Sequence, residues 1–309
     1  MVRTAAGPTS FHGMMRSLLA GLLATPALAL AQAAPPPSYA DLLAKSPKAD
    51  WAPLDPENTL YMDVPQGRVI ILLAPKYAPL HVANIKKLAR AKYWDRAAIV
   101  RVQDNYVVQW QWPDGQGPKL AEATGPMTPE FDRSLSSDLP FTALSDPDTY
   151  APEVGFSEGF PVARDPRLGL TWMAHCYGMV GVGRAESPQS GSGAELYAVI
   201  GHAPRQLDRN VALVGRVIQG IELFSSLPRG TGNLGFYSDS TRRVPIRAIR
   251  LAADLPAGER VPLEMLRTES ATFQSVIASR RTRREAWFVE PTGKINVCNV
   301  PLPIRTVGG

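Results

Sequence analysis

Arg101 lies inside an apolar run, Ala98-Ile99-Val100-Arg101-Val102, where a plain strand would carry another aliphatic side chain. Beyond Asp104-Asn105 the chain continues as Tyr106-Val107-Val108-Gln109-Trp110, with a glutamine in a similar setting. β-Branched and aromatic residues interrupted by Asp-Asn read as strand, turn and strand. A guanidinium in such a strand must face water or a pocket that uses its charge, because burying it unpaired is very costly. A second apolar region runs from Gly178 to Gly183, resumes as Glu195-Leu196-Tyr197-Ala198-Val199-Ile200, and ends with Leu207-Asp208 and Leu213 to Val217. Glu195, Asp208 and Arg216 are the charged residues set into it.

Other chemical signals fall away on context. Gly155-Phe156-Ser157-Glu158-Gly159 has the spacing of a nucleophile elbow, but prolines at 152, 161 and 166 leave no helix to follow it. His12, His81, His175 and His202 lack metal-ligand spacing, so no metal is expected. Gly181-Val182-Gly183 lacks the third glycine and the helix of a dinucleotide site, and no phosphate-cradling loop is present. No cofactor is expected.

The elements that must position these residues can be read around them. Thr59 to Val64 and Arg68 to Leu73 form a hairpin about Pro65-Gln66-Gly67. Pro79 opens a helix to Ala91, with Val82, Ile85, Leu88 and Ala89 on one face. Gly220 to Leu227 reads as a short helix, and Val244 to Ala252 as a closing strand. Residues 113–167 are polar and proline-rich, the pattern of an insertion or functional loop. Pro262 to Glu285 reads as a helix with Leu266, Phe273, Val276 and Ile277 on one face and arginines at its end.

The 309 residues are 45% hydrophobic and 20% charged, an ordinary globular balance. Residues 1–33 read as a secretory signal, with Arg16 before the apolar stretch Leu18 to Leu30 and small residues at Ala29 to Ala33. That stretch is too short for a good membrane span, so no stable membrane insertion is expected after its removal. The net charge is +5, and loss of Arg3 and Arg16 leaves 5 − 2 = +3, too little to argue for nucleic acid. Residues 34–58 read as a proline-rich linker. Export to the periplasm or the exterior makes Cys176 and Cys298 candidates for a disulfide, against the alternative of two buried thiols.

Taken in order, these blocks resemble the cyclophilin-type peptidyl-prolyl cis/trans isomerases. The family's first signature reads aromatic-Tyr-Asp, Phe-His-Arg-Val and Gly-Phe-Met-x-Gln-Gly-Gly-Asp. This chain has Tyr93-Trp94-Asp95, Ile99-Val100-Arg101-Val102 and Asn105-Tyr106-Val107-Val108-Gln109-Trp110-Gln111-Trp112. Gly178 to Arg184 with Gly193 to Ala198 is similar to the second block, and Leu207 to Val217 to the third.

The resemblance implies an all-β fold: a closed eight-stranded antiparallel barrel capped by two helices over residues 59–253, with 254–309 a helical extension. It implies that Arg101 is the catalytic arginine and Gln109 its support. Tyr106, Val107, Tyr197 and Leu207 would hold the proline ring, while Gly183 and Arg184 would offer a backbone edge to the peptide. Substrates would be proline-containing segments of unfolded exported proteins, handled by a monomer. Rotation about a peptide bond faces a barrier of about 18–20 kcal/mol from nitrogen resonance. An arginine aimed at the prolyl nitrogen would favour the twisted transition state by localising the lone pair. Val100, Tyr106, Gln206 and Val211 depart from the family pattern. So does Glu195, which replaces a glutamine and, beside Arg101, is expected to clasp the guanidinium. The rival reading is a peptide-holding chaperone or assembly factor without turnover.

Overall fold

A computed structural model describes residues 37–285 and 287–307, apart from the side chains of residues 121 and 122. The signal segment read over 1–33 lies outside the described residues. In chain order the first elements are α1 (Tyr39–Ala44), β1 (Trp51–Pro53), β2 (Thr59–Val64), β3 (Gly67–Leu73) and α2 (Pro79–Arg90). They are followed by β4 (Ala98–Val102), β5 (Val107–Gln111), β6 (Arg133–Ser134), β7 (Thr142–Leu144), β8 (Glu153–Ser157), β9 (Phe160–Asp165) and β10 (Leu170–Met173). Next come β11 (Met179–Val182), β12 (Leu196–Val199), β13 (Leu213–Gln219) and α3 (Ile221–Ser225). The chain closes with β14 (Val244–Pro245), β15 (Ala248–Leu251), β16 (Leu263–Leu266), α4 (Ala271–Thr282) and β17 (Ile304–Thr306).

Nine strands form one antiparallel sheet in the order β14-β4-β5-β12-β11-β13-β3-β2-β15. The expected closed eight-stranded ladder is therefore corrected to an open, curled sheet of nine. Its outermost strands are successive pieces of one segment, divided at Ile246 and Arg247. The Ile246 amide donates to Ala97 O at 2.9 Å, and the Arg247 amide turns the other way to Asp63 O at 2.8 Å. One segment thus serves both edges, which leaves little unpaired backbone there. Leu60, Met62, Trp94, Trp110 and Phe224 fill the inside of the curl. α2 buries Val82, Ile85, Leu88 and Ala89, the face its apolar spacing foretold.

The stretch 113–167 is more than a loop. It supplies four strands of a second sheet, ordered β6-β10-β9-β8-β7. Glycine and proline at 155, 159 and 161 hide the alternation that marks a strand. Glu158 and Gly159 have φ of 53° and 80°, a two-residue hairpin turn joining Ser157 to its partner Phe160. The elbow-like sequence is that hairpin, and no helix follows it.

The stretch 34–58, read as a linker, is folded from Tyr39 onward. β1 pairs with β16, and β16 with β17, so the two ends of the described chain share a three-stranded sheet. The helix expected from Pro262 is likewise a strand first and a helix only from Ala271. Ser270 Oγ accepts the Phe273 amide at 3.1 Å and fixes that start. Phe156, Phe273, Val276 and Trp51 meet in a second core between these pieces. A disulfide joins Cys176, beyond β10, to Cys298, with Cα atoms 5.0 Å apart.

Candidate active site

Strand register builds the site. Arg101 on β4 stands opposite Gln109 on β5, Gln109 opposite Tyr197 on β12, and Tyr197 opposite Gly181 on β11. Directly paired residues project from the same face of a sheet, so this row delivers a cation, an amide and an aromatic ring to one surface. A bulge between Ile99 and Arg101 resets the alternation and brings Arg101 onto the outer face, away from the main core. Gly181 makes room, because a Cβ there would lie 2.3 Å from Tyr197 Cζ.

An open cavity of 560 Å³ covers the row. Arg101, Gln109, Tyr106, Val107, Gly183, Arg184, Glu195, Tyr197 and Leu207 all line it, so every site residue read from sequence reaches one surface. Val107, Tyr197 and Val199 form a small apolar floor with Tyr106 and Val211 packed beside them, separate from the core inside the curl. Sequence reasoning missed Phe236, Gln111 and Gln103. Phe236 comes from a distant loop and pairs with Arg101 through an isolated β-bridge. Gln111 and Gln103 did carry a signal: each lies two residues from a site residue and faces the same side.

The Arg101 guanidinium is half-buried and held from three directions. Nε donates to Leu234 O at 2.6 Å, Nη1 to Gln109 Oε1 at 3.1 Å, and Nη2 to Gln103 Oε1. Gln109 Nε2 in turn donates to Gln111 Oε1 at 2.9 Å, fixing the amide so that its oxygen faces the arginine. The rings of Tyr106 and Phe236 lie 5.6 and 5.5 Å from the guanidinium carbon. Burial lowers the Arg101 pKa, yet a guanidinium remains charged. Five N–H donors less three leaves two to turn toward a bound carbonyl or nitrogen.

The expected clasp between Glu195 and Arg101 is not formed. Gln103 and Gln109 occupy the guanidinium instead, and both are neutral, so its full charge is kept. Glu195 stands at the exposed rim, where partial desolvation raises its carboxyl pKa. Its backbone carbonyl accepts the Gly183 amide at 2.9 Å. Arg184 is bound to the carbonyls of Asn210, Ala185 and Glu186, which braces the loop at that side.

Behind the floor lies a buried polar chain. Tyr197 Oη and His175 Nε2 are 2.9 Å apart, and His175 Nδ1 is 2.9 Å from Asp208 Oδ1. Asp208 Oδ2 accepts from Arg205 Nε at 2.6 Å, and Arg205 reaches Asp148 through both terminal nitrogens. Burial lowers the His175 pKa, so the ring is neutral, donates from Nδ1 to the carboxylate and accepts a hydrogen bond from the Tyr197 hydroxyl at Nε2. Desolvation drives the Tyr197 pKa strongly upward and keeps its hydroxyl protonated.

The family profile described as cyclophilin type peptidyl-prolyl cis-trans isomerase/CLD matches residues 59–251. Two proteins named probable peptidyl-prolyl cis-trans isomerase, from Brucella suis and Brucella melitensis, are each 42% identical over 55 residues. That stretch is 18% of this chain and 28% of each relative, so the chain matches under a third of their length. A crystal structure of a cyclophilin from Hirschia baltica superposes with a TM-score of 0.69 at 24% identity, covering 87% of this chain and 97% of that one. At that identity the superposition speaks for the fold.

Proposed function

The chain belongs to the cyclophilin-type peptidyl-prolyl cis-trans isomerase family, and we propose that it catalyses rotation about X-Pro bonds in exported polypeptides. The observation that carries the reading is a charged guanidinium, two of its donors unengaged among the described residues, set over an apolar floor of Tyr106, Val107, Tyr197 and Leu207. The floor takes the proline ring by burying it. Arg101 then faces the imide nitrogen, whose lone pair becomes available only as the bond twists. A donor placed there interacts more strongly with the twisted state than with either planar isomer, which is the requirement for a lower barrier. Gln109 and Gln103 position the guanidinium and add no charge to compete with it.

The activity is assigned to residues 59–253, acting as a monomer. Export to the periplasm or beyond is supported by the signal-like leader and by the pairing of both cysteines, since disulfides persist in oxidising compartments. A peptide-holding role without turnover is favoured by one observation: three of the five Arg101 donors are already engaged.

Arg101→Ala separates the two. As an isomerase, the variant loses about 100-fold or more in kcat/KM for a proline-containing peptide, the scale for removing one preorganised donor. Peptide binding, followed by titration calorimetry, falls much less. Turnover in the variant equal to wild type overturns the proposed mechanism, and absence of turnover in wild type leaves the holding role.

A further inference from the structure

Arg216, at the centre of β13, is 8% exposed and has no carboxylate partner among the described residues. Its Nε is buried without a hydrogen-bond acceptor, and Nη2 meets only Met265 Sδ, at 3.5 Å. The other buried charges of the fold are treated differently. Arg205, 4% exposed, is clasped by Asp148 and Asp208, and Glu264, 6% exposed, is bonded to Arg305. A guanidinium does not escape the cost of burial by losing its proton. Burial lowers its pKa only to about 10, and no neighbouring charge offsets the effect.

The side chain opens on a cavity of 120 Å³ between the curled sheet and the C-terminal extension. Pro161, Met179, Val297, Val300 and Leu302 line it together with Tyr177, and the Cys176–Cys298 disulfide is a further wall. It lies apart from the proline cavity and shares no lining residue with it. We propose that this cavity is a binding site for a small monocarboxylate with an apolar body, its carboxylate received by Arg216. Both oxygens of a carboxylate match the planar fork of a guanidinium, which a single rounded anion does not. Phosphate or sulfate would need several further donors for its remaining oxygens, and besides Arg216 only Tyr177 among the lining side chains carries one. The volume admits a few carbons only. Because the disulfide forms a wall, binding belongs to the oxidised protein.

Sodium butyrate is the probe, with sodium chloride at equal ionic strength and sodium phosphate beside it. Butyrate is expected to raise the Tm of the oxidised full chain saturably, while chloride and phosphate do not. The response is lost in Arg216→Met, in Val300→Phe, which fills the cavity but keeps the charge, and after reduction. Arg216→Met further serves to separate a ligand site from a purely structural arginine. An unpartnered buried charge exchanged for an apolar side chain of similar length leaves the Tm without ligand equal or higher. A phosphate shift as large as that with butyrate overturns the proposal. So does a butyrate shift retained in Val300→Phe, and so does no shift in wild type. If Arg216→Met does not fold, the arginine is structural and the inference fails unless wild type and Val300→Phe still differ as stated.

Discussion

Tyr197 gives the proline floor a polar underside. Its ring faces the cavity, while its hydroxyl is spent on His175 Nε2 within the protein. Tyr197→Phe leaves the ring in place and removes the donor, so His175 is left with a buried, unsatisfied acceptor. The expected loss is about 1–3 kcal/mol of unfolding free energy, read from urea denaturation, with peptide affinity little changed. The neutral histidine also sets a pH dependence. Its folded pKa lies below the value of about 6.5 that the unfolded chain regains. The unfolded state therefore takes up the proton first, and stability is full above that pH and declines as pH falls below it. Asp208, whose folded pKa is also depressed, adds to the decline at more acidic pH. Denaturation curves between pH 8 and 5 test this, and His175→Gln should flatten the upper part of the decline. A wild-type curve level across that range contradicts it. Glu195 has the opposite sign: its raised pKa means that the ionised form weighs against the fold, so Glu195→Gln should melt slightly higher at pH 7 and gain nothing at pH 4. At this scale the sequence was informative wherever a residue type was out of place in its strand. Arg101 and Gln109 stood out for that reason, Tyr197 came from the family resemblance, and the three share one row of the sheet. That Gln103 and not Glu195 holds Arg101 was not legible, because a side chain's neighbours depend on rotamers.

Elements depend on groups that no local pattern reveals. α2 starts at Pro79 with Ala78 before it, a residue with no side chain able to cap, and no local side-chain cap bond forms. The cap comes from 50 residues away. Glu130 accepts the Leu80 amide at 2.9 Å and the His81 amide at 2.8 Å, satisfying two donors at the positive end of the helix. Glu130→Ala should cost about 1–2 kcal/mol in chemical denaturation, the range for loss of a strong N-cap. Glu130→Gln, which keeps one acceptor, should recover part of it. No change in either variant would show the helix start to be carried by packing alone. The same example explains why 113–167 reads poorly in sequence. Its purpose at Glu130 is to complete an element far away, and its strands are short and broken by glycine and proline. Helix α2 and the hairpin of β2 and β3 were legible because their interior hydrogen bonds are local and their apolar residues recur without interruption. At β16 the opposite holds. Leu263 to Leu266 has no partner nearby in sequence, so only β1 and β17, about 210 and 40 residues distant, make it a strand.

Two cores divide the described chain, and they differ in how they are held. The curled sheet is bound by continuous ladders around Trp94, Trp110 and Phe224. The second core is gathered from the ends: β1, β8 to β10, α4 and the segment near Cys298 contribute to it, with only short strands joining them. The disulfide spans 122 residues of sequence and links the exit of β10 to that terminal segment. In the chain-entropy view, closing a loop of this length stabilises by about 4–5 kcal/mol, a third or more of the roughly 5–15 kcal/mol by which domains are stable. Reduction should therefore lower the Tm and open the second core first, because the terminal segment is then held by side-chain packing and a three-residue strand. Hydrogen exchange resolves the order: amides of β16, β17 and α4 lose protection in dithiothreitol, while those of β4, β5 and β12 keep theirs. Under the same conditions β4, β5 and β12, which carry Arg101, Gln109 and Tyr197, stay intact, since neither cysteine of the bridge lies in them. Isomerisation measured with a proline peptide should thus survive reduction at temperatures where the second core has loosened. Equal loss of protection in both sets of strands would mean that the molecule unfolds as one unit and that the bridge stabilises the site as much as the extension.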